Sequence, residues 1–187
     1  MDSPYPFSAS GVLSSREVRE RNLVKGAKIE QFQTNSVDLT VGKIFYPLDL
    51  PFGAKPTDMD YEKMPLILED EDVDPYWIIP KGQPVLIEIA EIINLSGDVT
   101  RTTQETDYLG PVFGYAVGRS SLHRIGVLSY GSWWDWKYSG RGKLLVIPMA
   151  ADLLIKKGDR FASIAFFSAN LSDNDYKGTY QGEGLKV

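Results

Sequence analysis

The chain contains no cysteine in its 187 residues and a single histidine, His123. Without thiolates there are no disulfides, no thiol nucleophile and no Cys-held zinc, and one imidazole cannot build a multi-His metal site. An excess of positive charge is missing too, since 20 Lys and Arg stand against 25 Asp and Glu for a formal net charge of -5. That balance gives no broad attraction to nucleic acid or an anionic membrane, so any anionic ligand must be held locally. No apolar run has the length to span a bilayer, and the opening MDSPYPFSAS lacks the charged-then-apolar order of a signal peptide. The expectation is a soluble, cytoplasmic chain with neither nucleic acid nor membrane as partner.

What is present points to one β-rich domain. A hydrophobic content of 43% over this length suffices for one well-buried core, and residues 1–187 read as a single domain. In LSSREVRERNLVKG, Ser14 stands three residues before Glu17, the spacing of a capping box, which predicts a short N-terminal helix ending near Lys25 and Gly26. Beyond it come strand-like runs broken by Gly, Pro, Asn or Asp: SVDLTVGKIFY, YWIIP, PVLIEIAEIINL, GPVFGYAVG, GKLLVIPMA and RFASIAFFSA. That pattern predicts an all-β sandwich or barrel. The stretch 48–74 is rich in Pro and acids, and its EDEDVD reads as a solvated loop in preference to a metal site. The polar, glycine-rich tail 172–187 is either a frayed end or a lid that orders over a ligand.

Several chemistries are excluded by their missing parts. GRGKLL lacks the Gly spacing and the Ser or Thr of a phosphate-gripping P-loop. A serine nucleophile needs a base and an elbow, yet His123 follows Ser120 by only three residues and no GxSxG is present. Zinc-dependent deamination of a nucleobase has no ligands here. What remains is GRSSLHRIG, in which Arg119 offers a planar fork of donors, Ser120 and Ser121 offer hydroxyls, and Gly118 permits close backbone approach. This is a candidate polyphosphate cradle, and equally a turn whose serines bond their own backbone. Asp135 is the nearest downstream acid, crowded by aromatics. It can orient and deprotonate an attacking water beside a phosphate, or simply form a turn.

Taken in order, these strings resemble the dCTP deaminase and trimeric dUTPase superfamily. LSSREVRERNLVKG looks like its first helix, QTNSVDLTVG is similar to its NPASVDLRLG-type strand, and IPKGQPVLIEIAEIINL resembles its long strand before the active site. GRSSLHRIG is close to GRSSLARLG, the most specific string of the family. DWKYSG keeps the spacing of Asp, aromatic and Gly, and TYQGEG resembles the closing KYQGQ-type tail. The resemblance implies a jelly-roll-like dUTPase fold, a homotrimer with active sites shared between neighbours, and a deoxynucleoside triphosphate as ligand. It implies that Arg119, Ser120, Ser121 and Arg124 bind the triphosphate, with Mg2+ bridging phosphate oxygens and no protein cage of its own. Asp135 would be the catalytic residue that orients water, Tyr138 would stack under the deoxyribose, Asp38 would support the site, and Tyr180 with Gln181 would belong to a tail closing over the nucleotide.

Departures from the family pattern shape the functional expectation. Deaminases of the family use a Glu about ten residues past the Asp for proton transfer, and that count from Asp135 reaches Leu145. No Glu occurs between Glu105 and Glu183, so no realignment supplies one. The expected reaction is therefore dUTP diphosphatase chemistry, dUTP to dUMP and pyrophosphate. Alternatives are dCTP deaminase, a bifunctional deaminase and diphosphatase, hydrolysis of another nucleotide, or a non-catalytic nucleotide-binding regulatory homologue. The hairpin expected between Gly126 and Asp135 is two residues shorter than in either parent family and sets Trp133 and Trp134 beside the base, to narrow the pocket, stack on a different base or pack a trimer core. In the tail, Thr179 replaces a usual Lys and Glu183 a usual Gln, a loss of positive charge that Lys177 or Lys186 could offset.

Overall fold

The computed structural model describes residues 11–47, 76–95, 111–168, 177–178 and 180–185. The acidic stretch 48–74 and much of the tail, Thr179 and Lys186 included, lie outside the described residues. In chain order the elements are β1 (Gly11–Val12), α1 (Ser15–Glu20), β2 (Val24–Lys25), a 3-10 turn at Ile29–Gln31, β3 (Val37–Phe45), β4 (Tyr76–Ile79), β5 (Val85–Ile89) and β6 (Ile92–Asn94). They continue with β7 (Val112–Gly118), α2 (Ser120–Arg124), β8 (Val127–Ser129), β9 (Ser132–Trp134), β10 (Ser139–Gly140), β11 (Lys143–Pro148), β12 (Leu153–Lys156) and β13 (Arg160–Ser168).

The helix begins where the capping box predicts. Ser14 accepts from the Glu17 amide, and the Glu17 carboxylate accepts from the Ser14 amide at 2.8 Å. It ends earlier than expected, after six residues. Asn22 takes the left-handed conformation at φ 51, its N–H bonds to the Arg19 carbonyl, and the Leu23 N–H bonds back to Val18, the two bonds of a Schellman close. Leu23 and Val24 are then buried, and Val24–Lys25 pair with Ile93 and Ile92 of β6. Tertiary strand pairing overrides the helical propensity of the segment.

Eight strands form the main antiparallel sheet, in the order β8-β11-β5-β3-β13-β7-β9 with β1 added on β13. Its two end strands, β8 and β9, are consecutive in sequence and joined by Tyr130 and Gly131 alone, so the sheet curls until its edges meet. The fold is thus mostly β, a curled antiparallel sheet, with a three-stranded sheet (β10-β6-β2) and a two-stranded one (β12-β4) beside it. The hairpin expected between Gly126 and Asp135 is corrected here: β8 bonds to β11 and β9 to β7, and the link crosses from one sheet edge to the other. Gly131 is required at that crossing, since a Cβ there would lie 2.6 Å from the Ala116 carbonyl oxygen.

Alternation explains the core. Leu144 and Val146 of β11, Ile87 and Ile89 of β5, and Ala162, Ile164 and Phe166 on β13 are fully buried in one contiguous cluster, as period-two patterning requires. Strand β3 bends at Gly42, where the register against β5 shifts between Val41 and Lys43. There a Cβ would meet the Ala90 backbone at 3.1 Å, so glycine is what allows the bulge. Because of that bend β3 pairs with β13 along its first half and with β5 along its second, and so joins the two halves of the sheet.

Candidate functional site

One region grows from the end of β7. Gly118 closes the strand, Arg119 is the N-cap of α2, and Ser120, Ser121 and Arg124 lie exposed on that short helix. The need for glycine at 118 is structural: a side chain there would run into Ser129, whose Oγ is hydrogen-bonded to His123 Nε2 at 2.9 Å. The lone histidine therefore braces α2 against β8.

Beneath Arg119 sits the buried Asp38, 3% exposed. In register Asp38 lies opposite Ser163, which lies opposite Val117, so all three share one face of the sheet. Ser163 Oγ donates to Asp38 Oδ1 at 2.7 Å and Arg160 Nη1 to Oδ2 at 3.2 Å, while Arg119 Nε stands 3.6 Å from Oδ1. One carboxylate therefore orients two guanidiniums whose outer surfaces remain partly exposed, leaving a local net positive charge in an acidic protein. No motif in the sequence marks Arg160 or Ser163. Their place opposite β3 follows from strand register, which no short string encodes.

A second region is built around Asp135. The Tyr138 N–H bonds to the Asp135 carbonyl at 3.0 Å with Lys137 at φ 70, so Asp135 opens a tight turn and its side chain is exposed. Leu95 fastens the turn by accepting from the Lys137 amide and donating to the Tyr138 carbonyl. Tyr138 is almost fully buried and stacks on Trp134, with ring centroids 6.0 Å apart. Gly142 makes room for that indole, as a Cβ there would lie 2.2 Å from Trp134 Cζ2.

Tail residues close this second region within the same chain. Gln181 accepts from the Ser139 amide and donates to the Lys137 carbonyl, the Gly182 N–H bonds to the Ser139 carbonyl, and the Arg141 N–H bonds to the Glu183 carbonyl. Gln181 and Gly182 thus bond to the segment that bears Tyr138, with Tyr180 next to them in the tail and exposed. Glu183 Oε1 meets Lys143 Nζ at 2.6 Å. Burial raises its carboxyl above the ordinary value and Glu88 adds to the rise, while Lys143 offsets part of it.

Within one chain the two regions do not meet. β9 runs back along β7 with Trp134 opposite Gly114, which places Asp135 just past β9, level with Phe113 near the start of β7, and Arg119 beyond the other end of that strand. Arg119 lies five positions along the chain from Gly114, roughly 17 Å of extended strand. The two tryptophans also part company, because successive strand residues face opposite sides. Trp134 points to the core, whereas Trp133 is 61% exposed and packs on Tyr115 (4.4 Å), Phe113 (5.6 Å) and, across Phe113, Phe167 (6.4 Å). Leu145 lies opposite Leu86 on β5.

Comparison with known proteins agrees with this architecture. Residues 12–169 match the family described as dCTP deaminase-like. A probable deoxyuridine 5'-triphosphate nucleotidohydrolase of Aeropyrum pernix is 31% identical over 177 residues, which cover 92% of this chain and 99% of that protein. The crystal structure of 2'-deoxycytidine 5'-triphosphate deaminase from Agrobacterium tumefaciens shares the fold, with a TM-score of 0.63 over 87% of this chain at 17% identity. This chain spans about half of that structure, 49% of its length. No helix among the described residues is long and apolar enough to cross a membrane. With the curled antiparallel sheet and a family match over most of its length, the chain belongs to the dCTP deaminase-like family of enzymes.

Proposed function

We propose that this protein hydrolyses a deoxynucleoside triphosphate in the cytoplasm, dUTP before others, to the monophosphate and pyrophosphate. The observation that carries the reading is the apolar cross-strand pair Leu145–Leu86, where deamination would need a proton-carrying carboxylate, taken together with an Asp135 that stays exposed to solvent. Arg119, Arg124, Ser120 and Ser121 hold the phosphates as donors, and Asp135 orients the attacking water and takes its proton. Asp38 fixes the Arg119 fork, Tyr138 supports the sugar, and Tyr180 with Gln181 cover it. Among the described residues no three His, Asp or Glu side chains converge as a metal ligand set, and Asp38 is already engaged by two arginines. Arg119, Arg124, Ser120 and Ser121 are donors suited to phosphate and not to a cation, so Mg2+ would come with the nucleotide and would supply charge neutralisation there.

The separation of Asp135 from Arg119 supports a site assembled from two copies of the chain in a homotrimer. The exposed aromatic face of Trp133, Tyr115 and Phe113 is the kind of apolar surface that copies cover. Two measurements test the proposal. Asp135→Asn should lower pyrophosphate release from dUTP by about three orders of magnitude, and activity within a few-fold of the parent removes Asp135 from the mechanism. Arg119→Met and Asp135→Asn chains, each inactive alone, should regain activity when unfolded and refolded together. Failure to complement places the whole site in one copy.

A dCTP deaminase is the second reading. It is favoured by Glu88 and the tail's Glu183, which gather on Lys143 two residues along the same strand face from Leu145. Ammonia release from dCTP supports it directly. Binding of several nucleotides with turnover of none identifies a regulatory homologue instead.

A further inference from the structure

Lys143 is the point where the tail meets the sheet. Its side chain is 12% exposed and faces three groups: Glu183 Oε1 of the tail at 2.6 Å, Glu88 Oε2 of β5 at 3.5 Å, and the Phe45 ring of β3 at 5.1 Å. Glu88 is 4% exposed and lies opposite Lys143 on one side and Lys43 on the other. Two carboxylates therefore converge beneath the tail, and a buried ammonium stands between them. The backbone N–H of Arg141 donates to the Glu183 carbonyl, and its guanidinium donates to the carbonyls of Ala90 and Gly184.

Resting on the hydrolase reading, we infer that Lys143 is a positioning residue for the active-site tail: by neutralising Glu183 as it docks, it holds Tyr180 and Gln181 over the Lys137–Gly140 segment before any nucleotide arrives. The tail's backbone hydrogen bonds are each modest in net worth, because water satisfies the same groups when the tail is free. A buried Glu183 beside Glu88 with no cation between them outweighs those bonds, since an unpaired buried charge costs more than a hydrogen bond returns. Docking is thus conditional on Lys143, which acts on the tail through Glu183.

The arrangement is sensitive to pH in a direction set by burial. Docking desolvates Glu183 and Glu88 repels it, so its carboxyl titrates above its ordinary 4.5 when the tail is down. A group whose value is raised in the docked state binds its proton more readily there, so protonation favours docking. Its contribution is complete below 4.5 and is lost as pH rises through the raised value. The charged groups around it are Lys143 of β11, Glu88 of β5 with Lys43 of β3 behind it, and Arg141.

Amide hydrogen exchange on the full chain without nucleotide reads the docking through Arg141, whose N–H bonds to Glu183. Lys143→Met should speed exchange at Arg141 by at least about tenfold, to the rate of a chain ending at Gly178, while the core amide of Val146 stays protected. Adding Glu183→Gln to Lys143→Met should restore protection to within about twofold, and Lys143→Arg should keep it. With dUTP, Lys143→Met should raise KM about tenfold and leave kcat within about threefold. An Arg141 amide as protected in Lys143→Met as in the parent overturns the inference, as does a double variant that stays unprotected while Val146 is slow. Should exchange behave as expected and the parent turn over no nucleotide, the hydrolase reading falls and the role of Lys143 in docking stands.

Discussion

The two ends of β7 present the same strand with opposite treatment. At the Arg119 end the carboxylate is buried and the cations are left partly in water, so Asp38 supplies orientation while the donors stay open to a ligand. At the Asp135 end the aromatic ring of Tyr138 is buried against Trp134, while Asp135 itself is exposed. One end is pre-oriented and open; the other is covered before a ligand comes. On the proposed reading the difference separates binding charge from placing water: electrostatic order is set by an ion cluster on the sheet, and steric order by a ring stack and a strap of tail.

Variants that separate these roles sharpen the comparison. Asp135→Asn should reduce kcat for pyrophosphate release by about three orders of magnitude with KM within a few-fold, as loss of a general base does. A KM change of the same size as the kcat change would break the division of labour. Trp134→Ala should cost about 3–5 kcal/mol in denaturant unfolding, the usual range for emptying a buried aromatic site. Asp38→Asn should raise KM for the triphosphate about tenfold and leave kcat nearly unchanged, since both guanidiniums lose their anchor yet keep their charge. Ser129→Ala is the smallest, about 0.5–1 kcal/mol in stability from the lost bond to His123, with activity close to parental because the helix retains its backbone caps.

Much of this architecture is legible in the amino-acid order alone. Period-two alternation announces β5, β7, β11 and β13, and the capping box marks the start of α1 correctly. The helix end falls earlier than its periodicity implies because Leu23 and Val24 continue the helical spacing but find a strand partner far downstream, in Ile92 and Ile93 of β6. The family resemblance implies a hairpin at 126–135; that its two strands pair instead with β11 and β7 depends on the closure of the whole sheet. The string GRSSLHRIG identifies Arg119, and register alone brings it Arg160 and Ser163. In sequence Glu183 reads as an unfavourable charge near phosphate, and it becomes intelligible only with Lys143 facing it.

The two-residue crossing at Tyr130–Gly131 bears on how the protein avoids sticking to itself in the wrong way. A rolled sheet of this kind has two strand edges that can template extra strands from a foreign or misfolded chain. Here those edges are three residues long each and tethered to one another by a single bend, so neither can be offered to a passing chain without lifting its neighbour. Cleaving the backbone between Tyr130 and Gly131 would remove that tether and leave each edge held by its own ladder alone, β8 by β11 and β9 by β7.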